Sequence, residues 1–295
     1  MRYVLQAVKT LLSVAYIGVL DFYSLVRGAF YRPSERVRAD AVELVRQLRE
    51  RGFIVLEDYY SAEQVDGILA MARTYMQEEF GDFDHINREA YYRCPEAGQS
   101  VDGGVFRLFA PGALEEATCF FADDAYLVDL IENAYRTRIV RNGCVVQRNL
   151  PVGSETRSFH VDMYAPKQFK AFLFLTDVLD ESQGPYAVIE GSHRWRWRQC
   201  WNFLTRGLAA KHDLTSFSQL RSADLQRAHL FKVRRGTVVL ATQQAIHRGW
   251  PLTVGERFAL VNYYVEQMPS GLPGYRINRR LGYRYADAQG AERTL

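Results

Sequence analysis

The stretch Phe159-His160-Val161-Asp162-Met163, near the middle of a 295-residue chain, decides how the rest is read. In an extended strand successive side chains alternate faces, so His160 and Asp162 project to the same side, about 7 Å apart along the backbone. They form two teeth of a metal clamp. His247, in Gln244-Ala245-Ile246-His247-Arg248-Gly249, lies 87 positions later. Closing the clamp from another strand, it gives two imidazoles and one carboxylate on one face of a cation, with the remaining positions open. That ligand set suits non-haem Fe(II) in oxygen-activating enzymes.

The strands around the clamp set the fold class. Ile139 to Asn149 reads as one, with Gln147 and Asn149 on a shared face, and Phe172 to Thr176 as another, with Lys170 and Phe174 sharing a face. Ala187-Val188-Ile189, Thr237-Val238-Val239-Leu240 and Phe258 to Val265 follow, separated by turns rich in Gly and Pro. Many short strands late in a chain predict a sandwich or closed jelly roll. Upstream, Val37, Ala41, Leu44, Val45 and Leu48 have helical spacing that stops at Gly52, and Phe53-Ile54-Val55-Leu56 is a short strand. Ser61-Ala62-Glu63-Gln64 is a capping box opening a helix through Met76, and another helical stretch lies near Tyr126 to Tyr135. The expected architecture is mainly β with a helical support layer: a cupin-like double-stranded β-helix (jelly roll) over residues 33–295, with an insertion at 194–229. The loop-rich stretch from Gly81 to Gly112 reads either as a moving substrate cover or as an ordered surface excursion.

At 48% hydrophobic and 13% aromatic, the chain has ample material for a core. A formal charge of +3, with both signs mixed throughout, excludes the concentrated basic stripe that nucleic acid requires. Cys94, Cys119, Cys144 and Cys200 are scattered, without zinc or disulfide spacing, so reduced thiols in a cytoplasmic protein are expected. Residues 1–32 differ from the rest. Thr10 to Leu20 carries no charge and Phe22 to Val26 resumes the apolar run, yet eleven uncharged residues are too few to span a bilayer, which takes about 20. No small-x-small cleavage site follows, which argues against an exported leader. Two readings stand: a helix packed on the domain, or a helix in a membrane interface with Lys9, Arg27 and Arg32 near headgroups, making the protein peripheral at the cytoplasmic membrane face.

Ten residues after His247 comes Arg257, in Gly255-Glu256-Arg257-Phe258. A guanidinium there can hold a dicarboxylate such as 2-oxoglutarate by a bidentate pair. Four features in order then carry a resemblance: His160-Val161-Asp162; Gln183-Gly184-Pro185 leading to Glu190-Gly191-Ser192-His193-Arg194; Gly236-Thr237-Val238-Val239-Leu240 before His247; and Arg257. The chain resembles the phytanoyl-CoA dioxygenase family of Fe(II)/2-oxoglutarate oxygenases over roughly Arg36 to Gln267. The resemblance implies that His160, Asp162 and His247 ligate iron and that Arg257 pairs with the far carboxylate of 2-oxoglutarate. It also implies that O2 is consumed, that the cosubstrate ends as succinate and carbon dioxide, and that a substrate carbon is hydroxylated. Family members that halogenate lack the carboxylate held here by Asp162, which favours hydroxylation; desaturation and ring closure use the same ligands. The family often has an asparagine after the second histidine, where this chain has Arg248-Gly249-Trp250-Pro251-Leu252.

Around this centre, Gln147 and Asn149 are candidates for contact with cosubstrate or substrate, against the plainer reading of ordinary sheet polar residues, and either Phe174 or Lys170 is a candidate to line the cosubstrate pocket. His193 reads as structural, fixing a strand end, and His85, His212 and His229 as solvent or packing residues. Arg194, Trp195, Arg196, Trp197, Arg198 and Trp201 have three readings: a site for an anionic substrate, a surface resting on anionic membrane, or a helix with a solvated basic face. The expected substrate is a small or lipid-linked molecule, with a lipopolysaccharide sugar among the options that the family suggests. Competing classes are a non-catalytic metal-binding jelly roll and a zinc hydrolase using the same three ligands.

Overall fold

The computed structural model describes residues 2–32, 41–80, 91–93, 105–109, 113–151, 158–162, 164–209, 214–217, 220–268, 284–286 and 292–294. In chain order the first elements are α1 (Arg2–Phe30), α2 (Ala41–Arg51), β1 (Phe53–Leu56), α3 (Ala62–Phe80), β2 (Tyr91–Arg93), β3 (Val105–Phe109), α4 (Ala113–Ala122) and α5 (Ala125–Tyr135). Then come β4 (Ile139–Asn149), β5 (Gln168–Phe174), β6 (Tyr186–Ile189), α6 (Arg196–Leu208), α7 (Ser222–Leu225), β7 (Ala228–Leu230), β8 (Val238–Thr242), β9 (His247–Gly249) and β10 (Arg257–Glu266). A short hairpin, β11 (Arg284–Ala286) with β12 (Glu292–Thr294), ends the described chain.

Alternation along the strands builds the fold. On β5, Phe169, Ala171 and Leu173 join one apolar cluster while Phe172 and Phe174 join another. The same division runs through β10, with Phe258, Leu260 and Tyr264 on one side and Ala259, Val261 and Tyr263 on the other. One face therefore meets helices and the opposite face meets a second sheet. Leu48 of α2, Ile68 of α3 and Leu130 and Ile131 of α5 cover the outer face. Because both faces are covered, β8 and β10 are buried at every position.

The large sheet has the order β1-β8-β5-β10-β4-β3-β2 and every adjacent pair is antiparallel. The small sheet has the order β7-β6-β9, and a bridge between His160 and His247 extends it by one position. Two antiparallel sheets closed over one apolar interior make this chain a double-stranded β-helix, the jelly roll expected from its pattern of short strands. The capping box forms as expected, with Gln64 N–H donating to Ser61 Oγ and Ser61 N–H to Gln64 Oε1. Most of the expected cover from Gly81 to Gly112 lies outside the described residues; its described parts, β2 and β3, extend the edge of the large sheet.

The N-terminal segment is a single 29-residue helix, running through Lys9 and Asp21. Leu5–Phe30 is long and apolar enough, by length and composition, to cross a membrane, so the eleven-residue limit read from the uncharged run is too short. The helix continues through Asp21, whose carboxylate is paired with Arg196 of α6 at 2.6 Å. Ile17 and Leu20 pack into a cluster with Phe159, Val161 and Ile246, which places α1 directly behind the clamp.

Candidate metal centre

His160 and His247 are cross-strand neighbours. The His160 N–H donates to His247 O at 2.9 Å and the His247 N–H donates back to His160 O at 2.8 Å. Asp162 is anchored one step further, its N–H donating to Gln243 O at 3.1 Å. The clamp residues thus sit at an isolated bridge rather than in the continuous strand expected over Phe159 to Met163, of which Met163 lies outside the described residues. Their side chains converge all the same. Asp162 Oδ1 lies 3.4 Å from His160 Nε2 and 3.6 Å from His247 Nε2, and one ligand atom from each residue lies within 4.8 Å of the others.

The hydrogen bonds behind the rings decide which nitrogen faces the centre. His160 Nδ1 lies 2.8 Å from Ser158 O and His247 Nδ1 lies 2.8 Å from Ala245 O. A carbonyl only accepts, so each Nδ1 donates to it and each ring turns Nε2 inward. Burial, with His160 alongside, lowers the His247 pKa to about 4, which keeps that ring neutral at pH 7. Burial pushes the Asp162 carboxyl up, but the Lys170 ammonium and the two histidines hold it well below the usual carboxylate range. Lys170 Nζ bonds Asp162 Oδ2, leaving Oδ1 toward the histidines, and rides over the Tyr263 ring at 4.9 Å. Two imidazole nitrogens with one carboxylate oxygen are the donor set that a divalent cation of borderline hardness takes.

Strand pairing puts the other candidates on the same interior face. Arg257 faces Asn149 and Ala259 faces both Gln147 and Phe174 across β10. Gln147 Nε2 donates to Asn149 Oδ1 at 2.9 Å, so these two amides act as a unit. Phe174 is buried between the sheets beside them. Arg257 is buried too, and its Nη1 has no hydrogen-bond partner among the described residues. Burial lowers its pKa to about 10, so it remains a cation at neutral pH. A buried guanidinium without a counter-ion is expensive. An anion arriving in the interior relieves that cost.

No family model and no curated protein matches the chain, so the resemblance to the phytanoyl-CoA dioxygenases rests on its motifs. Solved structures do match it in fold. The epimerase SnoN in complex with Fe3+, alpha-ketoglutarate and nogalamycin RO has a TM-score of 0.56 over 86% of this chain and 92% of its own, at 15% identity. SnoK, a non-haem alpha-ketoglutarate-dependent carbocyclase from nogalamycin biosynthesis, has a TM-score of 0.54 at 17% identity, covering 80% of this chain and 87% of its own. AviO1 from Streptomyces viridochromogenes Tue57 has a TM-score of 0.53 at 13% identity, covering 78% and 96%. At these identities the likeness shows the jelly roll and leaves the chemistry to the residues.

Some neighbours of the centre carried no sequence signal. The Tyr186 ring lies 5.5 Å from that of His247, and Gln243 Nε2 donates to Tyr186 Oη at 3.4 Å. Lys170 showed in the sequence as sharing a face with Phe174 and as a possible lining of the cosubstrate pocket; its pairing with Asp162 is a tertiary contact that no local pattern reports. His193 has the structural place expected of it, with its Nε2 on Arg49 O at 3.0 Å. His229 packs on Phe53, ring centroids 5.0 Å apart, while His85 and His212 lie outside the described residues. In the Arg/Trp insertion, Arg196 pairs with Asp21 and Arg198 with Asp224, so neither is a ready anion site.

Proposed function

We propose that this chain is an Fe(II)- and 2-oxoglutarate-dependent oxygenase that hydroxylates a carbon of a small or lipid-linked molecule in the cytoplasm. One observation carries the reading: an inward-facing His160-Asp162-His247 centre shares its interior with a buried Arg257 whose Nη1 has no hydrogen-bond partner among the described residues. A metal-binding module or a zinc hydrolase has no use for that cation. A dicarboxylate cosubstrate does.

When bound, iron would activate O2, the oxidant, while 2-oxoglutarate would supply two of the four electrons and leave as succinate and carbon dioxide, the substrate carbon supplying the other two. The chain's own residues do the positioning. His160 and His247 present Nε2, Asp162 presents Oδ1, and Lys170 holds the second carboxylate oxygen so that the ligand oxygen keeps its direction. Arg257 takes the far carboxylate of the cosubstrate by charge-assisted hydrogen bonds. Gln147 and Asn149 offer polar contacts beside it, and Phe174 with its apolar neighbours excludes water from the interior. Asp162 is the most exposed of the three ligands, 17% of its side chain against 8% and 4%, so substrate approaches from its side. SnoN and SnoK are an epimerase and a carbocyclase on this fold, so substrate placement selects the outcome. Retention of Asp162 supports hydroxylation here.

The test is succinate formation by purified protein with Fe(II), 2-oxoglutarate and O2, alone and with polar-lipid and metabolite extracts, against His160→Ala. Succinate that rises with one extract and vanishes in the variant supports the reading and points to the substrate fraction. Bound iron with no succinate under any condition would falsify it and favour a non-catalytic jelly roll.

A further inference from the structure

We propose that α1 and α6 together form a docking surface for an anionic lipid bilayer. The two helices pack side by side and run antiparallel: Gln6 Nε2 donates to Gly207 O at 3.4 Å near one end, and Asp21 pairs with Arg196 at 2.6 Å further along. Both turn an apolar side away from the protein. On α6 the outward positions Trp197, Trp201, Leu204 and Leu208 recur at i, i+4, i+7 and i+11, opposite the buried Gln199. On α1 the buried positions are Thr10, Ile17, Leu20 and Ser24, and the opposite arc is apolar from end to end. Leu12, Phe22 and Leu25 of α1 and Trp197 and Trp201 of α6 are each 63–74% exposed. A helix of 29 residues carries this stripe over roughly 44 Å. Soluble monomers rarely leave so long an apolar patch open.

The border of the patch identifies the occupant. Lys9 and Arg27 fall on one edge of the α1 arc, with Arg27 over the Tyr23 ring at 5.7 Å. Cations and aromatic rings along the rim of an apolar face sit at headgroup depth. Asp21 is the one acidic residue on the two helices and is already paired with Arg196, so a second copy would bring like charges together. The helix lies flat. Its inner side is tied to the domain along its length, by Gln6 to Gly207, Ser24 to Glu266 and Arg27 to Gln267 O, and Tyr31 just past its end bonds Glu132. A bilayer-spanning orientation would break these contacts.

The surface lies close to the metal centre. From the inner side of α6, Gln199 Nε2 donates to Gln244 O at 2.7 Å and Asn202 Nδ2 to Ser216 O at 3.1 Å; Ser216 bridges His160. One layer of helices separates the bilayer from the segments that carry the ligands. With the oxygenase reading above, this makes an amphiphile held at the membrane surface the substrate class; the docking itself stands without that reading.

The test uses the full chain without metal or cosubstrate, so its outcome is independent of turnover. Vesicles of phosphatidylcholine, alone or mixed with phosphatidylglycerol, are sedimented with the protein. The wild type is expected in the pellet with the mixed vesicles, and Phe22→Glu/Leu25→Glu or Trp197→Glu/Trp201→Glu to weaken partition about tenfold or more with unchanged far-UV circular dichroism. Brominated lipids in the same vesicles are expected to quench tryptophan emission of the unsubstituted chain, which removes dependence on the variants folding. Wild-type protein that stays in the supernatant unquenched overturns the proposal, as does wild-type partition by both double variants. A soluble dimer that these substitutions dissociate would place a second copy on the face instead.

Discussion

At the scale of single residues, the centre depends on Lys170 and Arg257 as well as on its three proposed metal ligands. Lys170 holds one oxygen of Asp162, so Lys170→Met is expected to weaken divalent-metal binding about tenfold or more, read by Co(II) titration, while Lys170→Arg recovers part of it. Arg257 acts at a different step. Arg257→Met is expected to leave metal affinity unchanged and to raise the 2-oxoglutarate requirement by about two orders of magnitude, because one partner of a charge-assisted pair is gone. An unchanged requirement would remove Arg257 from cosubstrate binding. Asp162→Ala removes the carboxylate ligand and is expected to abolish succinate formation at any cosubstrate concentration.

At the scale of elements, two close approaches hold helices in place. Gly52, between α2 and β1, has φ +90°, and a Cβ there would come 2.7 Å from His193 Nδ1. Gly52→Ala is therefore expected to cost about 2 kcal/mol or more, from the left-handed backbone and the ring together, in urea unfolding. Burial, aided by Arg194 and Arg196, lowers the His193 pKa from 6.5 to about 4. The unfolded chain takes up this proton at the higher pH, so the contribution is full above pH 6.5 and is lost as pH falls toward 4, about 3 kcal/mol in all. His193→Gln keeps a donor for Arg49 O and cannot titrate; its unfolding free energy should fall less between pH 7 and pH 4 than that of the wild type. The α1–α6 contact is equally tight, since a Cβ on Gly207 would meet Thr10 Cγ2 at 2.5 Å. Gly207→Val is expected to push α1 away and lower stability by about 1–3 kcal/mol, with a lower thermal midpoint as the readout.

At the scale of the whole molecule, the two sheets act as a frame whose interior is completed by ligands. Co(II) and then 2-oxoglutarate are each expected to raise the thermal midpoint, about 2.7 kcal/mol of stabilisation at a hundredfold excess over Kd. His160→Ala should lose both increments and Arg257→Met only the second; a wild type indifferent to 2-oxoglutarate would contradict the cosubstrate reading. The sequence alone sufficed for β4, whose bounds match the expected Ile139 to Asn149, and for the capping box at Ser61, because strand alternation and capping are local. It also singled out His160, Asp162 and His247, whose ligand atoms the fold brings together, and Arg257 as a candidate, since few residue types bind metal or carboxylate and their order along the chain is informative. Tertiary structure alone decided that Lys170 grips Asp162, that Arg257 is buried with its Nη1 lacking a partner among the described residues, and that α1 packs on α6, 175 positions away at the Asp21–Arg196 pair. Periodicity shows that a helix has an apolar side, but which neighbour covers it is set by long-range packing. For α1 and α6, packing took the sides that carry Thr10 and Gln199 and left the more apolar sides facing outward.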